Sequence, residues 1–174
     1  MKTLALIFSL MFATTFANAP TSVYTFKLEK LTGGQFSLKQ FKGKKILIVN
    51  TASKCGYTHQ YADLQKLSEL YKDKLVVVGF PANNFGGQEP GTNQDISTFC
   101  HDNFSVTFPM SGKVSVKGDD IDPLFKYLTS AANPDFTGEI KWNFEKFLID
   151  ENGNLIHRFR SAVEPTSEAI TKYL

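Results

Sequence analysis

Cys55 stands in Asn50-Thr51-Ala52-Ser53-Lys54-Cys55-Gly56-Tyr57-Thr58, directly after the apolar run Ile46-Leu47-Ile48-Val49. The run reads as a buried strand. Residues 58–71 read as a helix with Tyr61, Leu64, Leu67 and Tyr71 on one face. A thiol in a strand-to-helix turn lies near the partial positive charge of a helix N-terminus. That charge favours the thiolate, which is the nucleophilic form. Lys54 adds a full positive charge beside it. Farther along, Phe85-Gly86-Gly87-Gln88-Glu89-Pro90-Gly91 is a glycine-rich turn that carries an amide, and Trp142-Asn143-Phe144 carries an indole and a second amide. Gln88, Trp142 and Asn143 are neutral donors, suited to holding a thiolate or an oxygen that is gaining negative charge.

The second cysteine, Cys100, sits between Thr98-Phe99 and His101-Asp102. Read from the residues alone, it is a structural thiol, half of a permanent disulfide with Cys55, or a redox partner of Cys55. The three histidines, His59, His101 and His157, have no spacing that makes a zinc site. His59 is close to Cys55 in sequence but reads as a solvent-facing helix residue, and Glu89 reads as a solvated loop carboxylate. A disulfide-exchange protein would carry a Cys-x-x-Cys pair, whereas Cys55 is followed by Gly56, Tyr57 and Thr58. A non-enzymatic alternative is an exported binding domain stapled by one disulfide.

The elements that must position these groups follow from periodicity. Residues 23–29 and 35–38 form a small hairpin around Thr32-Gly33-Gly34. Residues 45–51 are the first central strand, and residues 75–80, rich in valine, are a second. Prolines and glycines make residues 81–91 a loop. Thr92 or Asn93 caps a helix through Asp95, Ile96, Phe99 and Cys100, and Asp122-Pro123 opens another with Leu124, Phe125 and Leu128 inside. Residues 145–150 and 154–160 pair across Glu151-Asn152-Gly153, an Asn-Gly hairpin signal. Pro165 starts a terminal helix. This order is that of an α/β domain.

The chain has 174 residues, a net charge of +2, 42% hydrophobic residues and 16 phenylalanines, which is one packed domain with no basic stripe for nucleic acid. Residues 1–19 differ from the rest. Lys2, the apolar stretch from Leu4 to Phe12 and Ala17-Asn18-Ala19 have the order of a secretory signal peptide, leaving residues 20–174 as the domain. The exported chain is expected in the periplasm or secreted, the alternative being that residues 1–19 stay on as an uncleaved N-terminal membrane anchor.

The stretches 50–58, Gly79-Phe80-Pro81, Phe85 to Gly91, Thr107-Phe108-Pro109 and Trp142-Asn143-Phe144 with Lys146-Phe147-Leu148 resemble the glutathione peroxidases in order and spacing. The resemblance runs from about Val23 onward. It implies a thioredoxin-like α/β sandwich with a central mixed sheet flanked by helices. It implies a thiol peroxidase that reduces hydrogen peroxide and organic hydroperoxides in the response to oxidative stress, with no metal, haem or flavin. By resemblance, Cys55 is the peroxidatic cysteine, Gln88, Trp142 and Asn143 complete a catalytic tetrad, and Cys100 is a resolving cysteine of the kind found in thioredoxin-using members. Ala82 stands where many relatives have cysteine, and Asn84 replaces a frequent glutamine. The stretch from Tyr127 to Glu139 lacks the loop that tetrameric, glutathione-specific animal relatives insert, and no arginine cluster is present for glutathione carboxylates. These points imply a monomer and a thioredoxin-like protein, with glutathione as the other candidate reductant. If the leader is processed as expected, mass spectrometry of protein from its native host finds a chain beginning near Asn18 or Pro20. An intact terminus at Met1 or Lys2 overturns the cleavage.

Overall fold

The computed structural model describes residues 22–174, so the expected leader lies outside them. A short 3-10 turn at Val23–Thr25 leads into β1 (Lys27–Glu29), which pairs antiparallel with β2 (Gln35–Ser37). The main sheet holds β3 (Lys45–Thr51), β4 (Leu75–Pro81), β5 (Lys146–Ile149) and β6 (Leu155–Phe159), in the order β4-β3-β5-β6. β3 and β4 run parallel, while β5 is antiparallel to both β3 and β6. Four α-helices surround the sheet: α1 (Gln60–Leu70), α2 (Asn93–Phe104), α3 (Pro123–Ser130) and α4 (Glu168–Thr171).

The Ile46–Val49 run of β3 is apolar without interruption because the sheet is covered on both sides. Its side chains alternate between two cores. Ile46 and Ile48 meet Phe80, Phe147 and the α3 residues Leu124, Phe125 and Leu128, together with Leu28 and Phe36 of the hairpin. Leu47 and Val49 meet Tyr61, Leu64 and Leu67 of α1 and Ile96 and Cys100 of α2. The fully buried Tyr61, Leu64 and Leu67 are the helical face expected from the sequence. Tyr71 instead forms the C-cap of α1 and is only half-buried.

The helix ends follow their capping residues. Thr92 and Asp95 make a reciprocal capping box at α2, which holds the Asp95 carboxyl below its ordinary range. Asp122 accepts the Leu124 N–H at 2.8 Å, with Pro123 in the first turn of α3. Two expectations need correction. The terminal helix starts at Glu168, three residues after Pro165, and lasts four residues. Pro165 belongs to a turn closed by Ser167 N–H to the Glu164 carbonyl, 3.1 Å. The first hairpin is also shorter than expected, because Ser22 caps the chain into the 3-10 turn before β1.

A buried ion network fastens β5 and β6 below the sheet end. Arg158 Nε donates to Glu145 Oε1 at 2.6 Å and its Nη1 to the Gly138 carbonyl at 2.7 Å. Arg160 Nη1 donates to Glu145 Oε2 at 2.9 Å, and the Lys141 N–H reaches the same oxygen at 3.3 Å. Burial depresses the Arg158 guanidinium, and the Glu145 charge counters it. Removing one member of such a pair strands the other without compensation. Arg158→Met is therefore expected to cost about 3–5 kcal/mol in urea unfolding. Arg160→Met, at a half-exposed position, should cost clearly less, and equal losses would refute this division.

Candidate active site

Cys55 lies in a run of tight turns between β3 and α1. The Thr58 N–H donates to the Cys55 carbonyl (3.0 Å), the Gln60 N–H to the Tyr57 carbonyl (2.9 Å) and the Tyr61 N–H to the Thr58 carbonyl (3.1 Å). The Thr58 hydroxyl braces the turn from inside. It accepts the Cys55 N–H at 2.9 Å and donates to the Ala52 carbonyl at 2.9 Å. That double use keeps Thr58 out of the helix, which begins at Gln60. Cys55 therefore lies five residues ahead of α1. The backbone donor that reaches its sulfur is the Tyr57 N–H, at 3.4 Å, and not the first turn of the helix. The thiol is half-buried and packs on the core cluster that holds Tyr61, Cys100 and Phe144.

The 85–91 loop comes to this turn through its backbone. Gly86 and Gly87 both adopt left-handed conformations, φ 62° and 64°, where a Cβ would be strained. The fold-back lets the Gln88 carbonyl accept the Lys54 N–H at 3.0 Å, one residue from the thiol.

Asn50, fully buried at the end of β3, brings in the third segment. Its Nδ2 donates to the Trp142 carbonyl (3.1 Å) and its Oδ1 accepts the Glu145 N–H (2.9 Å). Its carbonyl accepts the Phe144 N–H at 2.6 Å. Phe144 is held at φ 61°, uncommon for a bulky residue, with its ring edge-on to Tyr61 at 5.4 Å. The reversed backbone turns Asn143 inward, where its Nδ2 donates to Gln88 Oε1 at 2.9 Å. Trp142 stays 40% exposed with its ring 5.7 Å from that of Phe85.

The structure thus joins Gln88 to Asn143 by side chains and Gln88 to the Cys55 turn by backbone. Gln88, Trp142 and Asn143 make no hydrogen bond to the sulfur among the described residues. Because Asn143 occupies the Gln88 oxygen, the Gln88 Nε2 hydrogens remain as donors. Asn143 Oδ1 is buried without a partner.

Cys100 is on the inner face of α2, 2% exposed and unbonded to Cys55. Burial pushes its thiol up to about 11. Glu89 departs most from the sequence reading. Its carboxyl is buried, not solvated, and Ser53 Oγ donates to its Oε1 at 2.5 Å. The sequence held no sign of this beyond its place next to Gln88. His59 is exposed, with Nδ1 3.0 Å from the Gly56 carbonyl, as expected of a surface residue. Among the described residues no group of three His, Cys, Asp or Glu side chains is placed to hold a metal ion.

The glutathione peroxidase family model matches residues 23–129. The glutathione peroxidase homolog BsaA of Staphylococcus epidermidis is 50% identical over 145 residues, 83% of this chain and 92% of the relative. The glutathione peroxidase-like peroxiredoxin GPX5 of Chlamydomonas reinhardtii is 50% identical over 147 residues, 84% and 91% of the two chains. The crystal structure of Trgpx in apo form superposes with a TM-score of 0.69 at 40% identity, covering 88% of this chain and 93% of that one. The chain belongs to the glutathione peroxidase family and is a peroxidase with a thioredoxin-like fold.

Asn50→Ala tests how the site is held. It removes both side-chain bonds and leaves the Glu145 N–H and the Trp142 carbonyl unpaired. The expected loss is about 2–4 kcal/mol in chemical denaturation, from one to two stranded groups at roughly 1–3 kcal/mol each. Peroxidase turnover should fall further than stability alone accounts for. Unchanged turnover in folded Asn50→Ala would show that residues 142–145 hold their place without it.

Proposed function

We propose that the chain reduces hydrogen peroxide and organic hydroperoxides at Cys55, as part of a response to oxidative stress. The Cys55 thiolate attacks the O–O bond and becomes a sulfenic acid, while water or an alcohol leaves. Gln88, Trp142 and Asn143 orient the peroxide and stabilise charge on sulfur and oxygen. The observation that carries this reading is the pair of bonds at Gln88: its side chain to Asn143 and its backbone to Lys54. They tie the 85–91 loop to Asn143 on one side and, on the other, to the residue next to the half-buried thiol.

Cys100 then displaces the sulfenic oxygen and forms a Cys55–Cys100 disulfide. An external thiol returns both cysteines to the reduced state by exchange. A thioredoxin-like protein is the favoured reductant and glutathione the alternative. The anchoring of α2 supports a mobile resolving cysteine: its only buried residues are Ile96 and Cys100, and the rest of its surface is polar or half-buried. The proposal includes a monomeric chain exported by residues 1–19 to the periplasm or the exterior.

Rapid mixing of the reduced protein with one equivalent of peroxide tests the scheme. Gln88→Ala should slow sulfenic acid formation by up to about 100-fold, the scale of losing one preorganised donor. Cys100→Ser should form the sulfenic acid at the parent rate, stay trappable by dimedone and lose turnover with thioredoxin. Parent-like kinetics in Gln88→Ala would make that residue structural. Full thioredoxin turnover in Cys100→Ser would leave a one-cysteine peroxidase.

A further inference from the structure

Lys146 opens β5 and is fully buried. In the sheet register it lies opposite Val49 of β3, as Leu148 lies opposite Leu47, which places it on the side of the sheet that α1 covers. Both of its hydrogen bonds go to backbone carbonyls, Ser161 at 2.9 Å and Val163 at 2.6 Å. Glu164 and Glu145 act on it through their charge, yet burial still pulls the ammonium down to about 7. Burying an ammonium is costly, and an apolar side chain of similar length fills such a space at less cost. Packing alone therefore does not account for a lysine at this position.

The Ser161 carbonyl has a second donor, Gln60 Nε2 at 2.9 Å. Gln60 is the first residue of α1 and fully buried, and its Oε1 has no partner among the described residues. The bond to Ser161 is thus what orients the Gln60 amide. The Gln60 backbone N–H donates to the Tyr57 carbonyl at 2.9 Å. Tyr57, held by that carbonyl, donates its own N–H to Cys55 Sγ at 3.4 Å. Hydrogen bonds of 2.9, 2.9, 2.9 and 3.4 Å therefore run from Lys146 through Ser161, Gln60 and Tyr57 to the sulfur.

The geometry points to Lys146 as a positioning residue of the peroxidatic site: by fixing the Ser161 carbonyl it sets Gln60, which in turn sets the Tyr57 N–H against Cys55 Sγ. This rests on Cys55 being the peroxidatic thiol. Lys146 touches no reacting atom and acts only through the groups between. Its two bonds pin the 161–163 turn at both ends, so the Ser161 carbonyl stays aimed at Gln60. That task needs a side chain with several N–H donors on one atom, which an apolar residue cannot supply. At the far end, a backbone N–H held against the sulfur stabilises the charge it carries as it attacks the peroxide. It also gives the thiol a fixed orientation.

The test pairs two measurements on the reduced chain. One is the rate of sulfenic acid formation on rapid mixing with one equivalent of hydrogen peroxide. The other is hydrogen-exchange protection of the Tyr57 amide by NMR, taken relative to the core amides of β3 so that a general loss of stability cancels. Lys146→Met keeps the length and the burial but has no donor. It should slow sulfenic acid formation by about tenfold, the rate equivalent of an ordinary hydrogen bond, and lower the relative protection of Tyr57. Gln60→Met should do the same with Lys146 intact. Because the two residues act along a single path, the double variant should be no slower than the slower single variant. A parent rate and parent Tyr57 protection in Lys146→Met, with only stability reduced, would make the lysine purely structural and overturn the assignment. Losses that multiply in the double variant would also overturn it. So would a parent-like Tyr57 amide in Gln60→Met, which decides the matter even where Lys146→Met does not fold. If peroxide fails to oxidise Cys55 in the parent, the peroxidatic reading fails, while Tyr57 protection still reports whether Lys146 holds that amide in place.

Discussion

Asn50 is the last residue but one of a strand that is buried on both faces, so its amide has no water to bond and must find partners in the protein. It finds the Trp142 carbonyl and the Glu145 N–H, while its own backbone carbonyl takes the Phe144 N–H. These three bonds hold a phenylalanine in left-handed backbone, a conformation that costs of order 1–3 kcal/mol and persists only when its surroundings over-determine it. The return is directional. With Phe144 driven into the core against Tyr61, Asn143 faces Gln88 and Trp142 remains at the surface. The site is therefore referenced to the end of a strand buried from Ile46 to Thr51, which is also the strand that leads into the Cys55 turn.

The same segment is secured from behind by charge. Glu145 follows Phe144 immediately, and its carboxylate is shared by Arg158, Arg160 and the Lys141 N–H. The guanidinium of Arg160 also lies over the Phe136 ring at 3.8 Å. Lys146, one residue on, donates to the Ser161 and Val163 carbonyls at 2.9 and 2.6 Å. Burial pulls its ammonium down to about 7, against the pull of Glu164 and Glu145. Gln60, at the start of α1, shares the Ser161 carbonyl at 2.9 Å. The start of α1, β5 and the 161–163 turn are thus tied at one oxygen beneath the Cys55 turn.

The two cysteines sit in opposite regimes. Cys55 is braced by the Thr58 hydroxyl and by backbone bonds on both sides, and its sulfur is partly open. Cys100 is enclosed, yet the helix that carries it is anchored by few buried side chains.

The sequence by itself determined the frame. The apolar run Ile46–Val49, the Thr92–Asp95 cap, Asp122-Pro123 and the Asn152-Gly153 turn are local signals with local physical causes, and each produced its element within a few residues. The motif residues around Cys55, Gln88 and Trp142-Asn143 were also legible, because their types and order are chemically distinctive. The end of the chain was not, since Pro165 opens a turn there and the helix waits for Ser167. Only tertiary structure decided the rest. Glu89 looked like any charged loop residue, and its burial depends on Ser53, 36 positions away. The Gln88–Asn143 bond spans 55 positions and the Asn50–Glu145 bond 95. Contacts at such separations leave no periodicity in the sequence. They form only where sheet order places β5 beside β3, so which polar groups meet, and which are left buried without partners, is fixed by the packing of the whole chain.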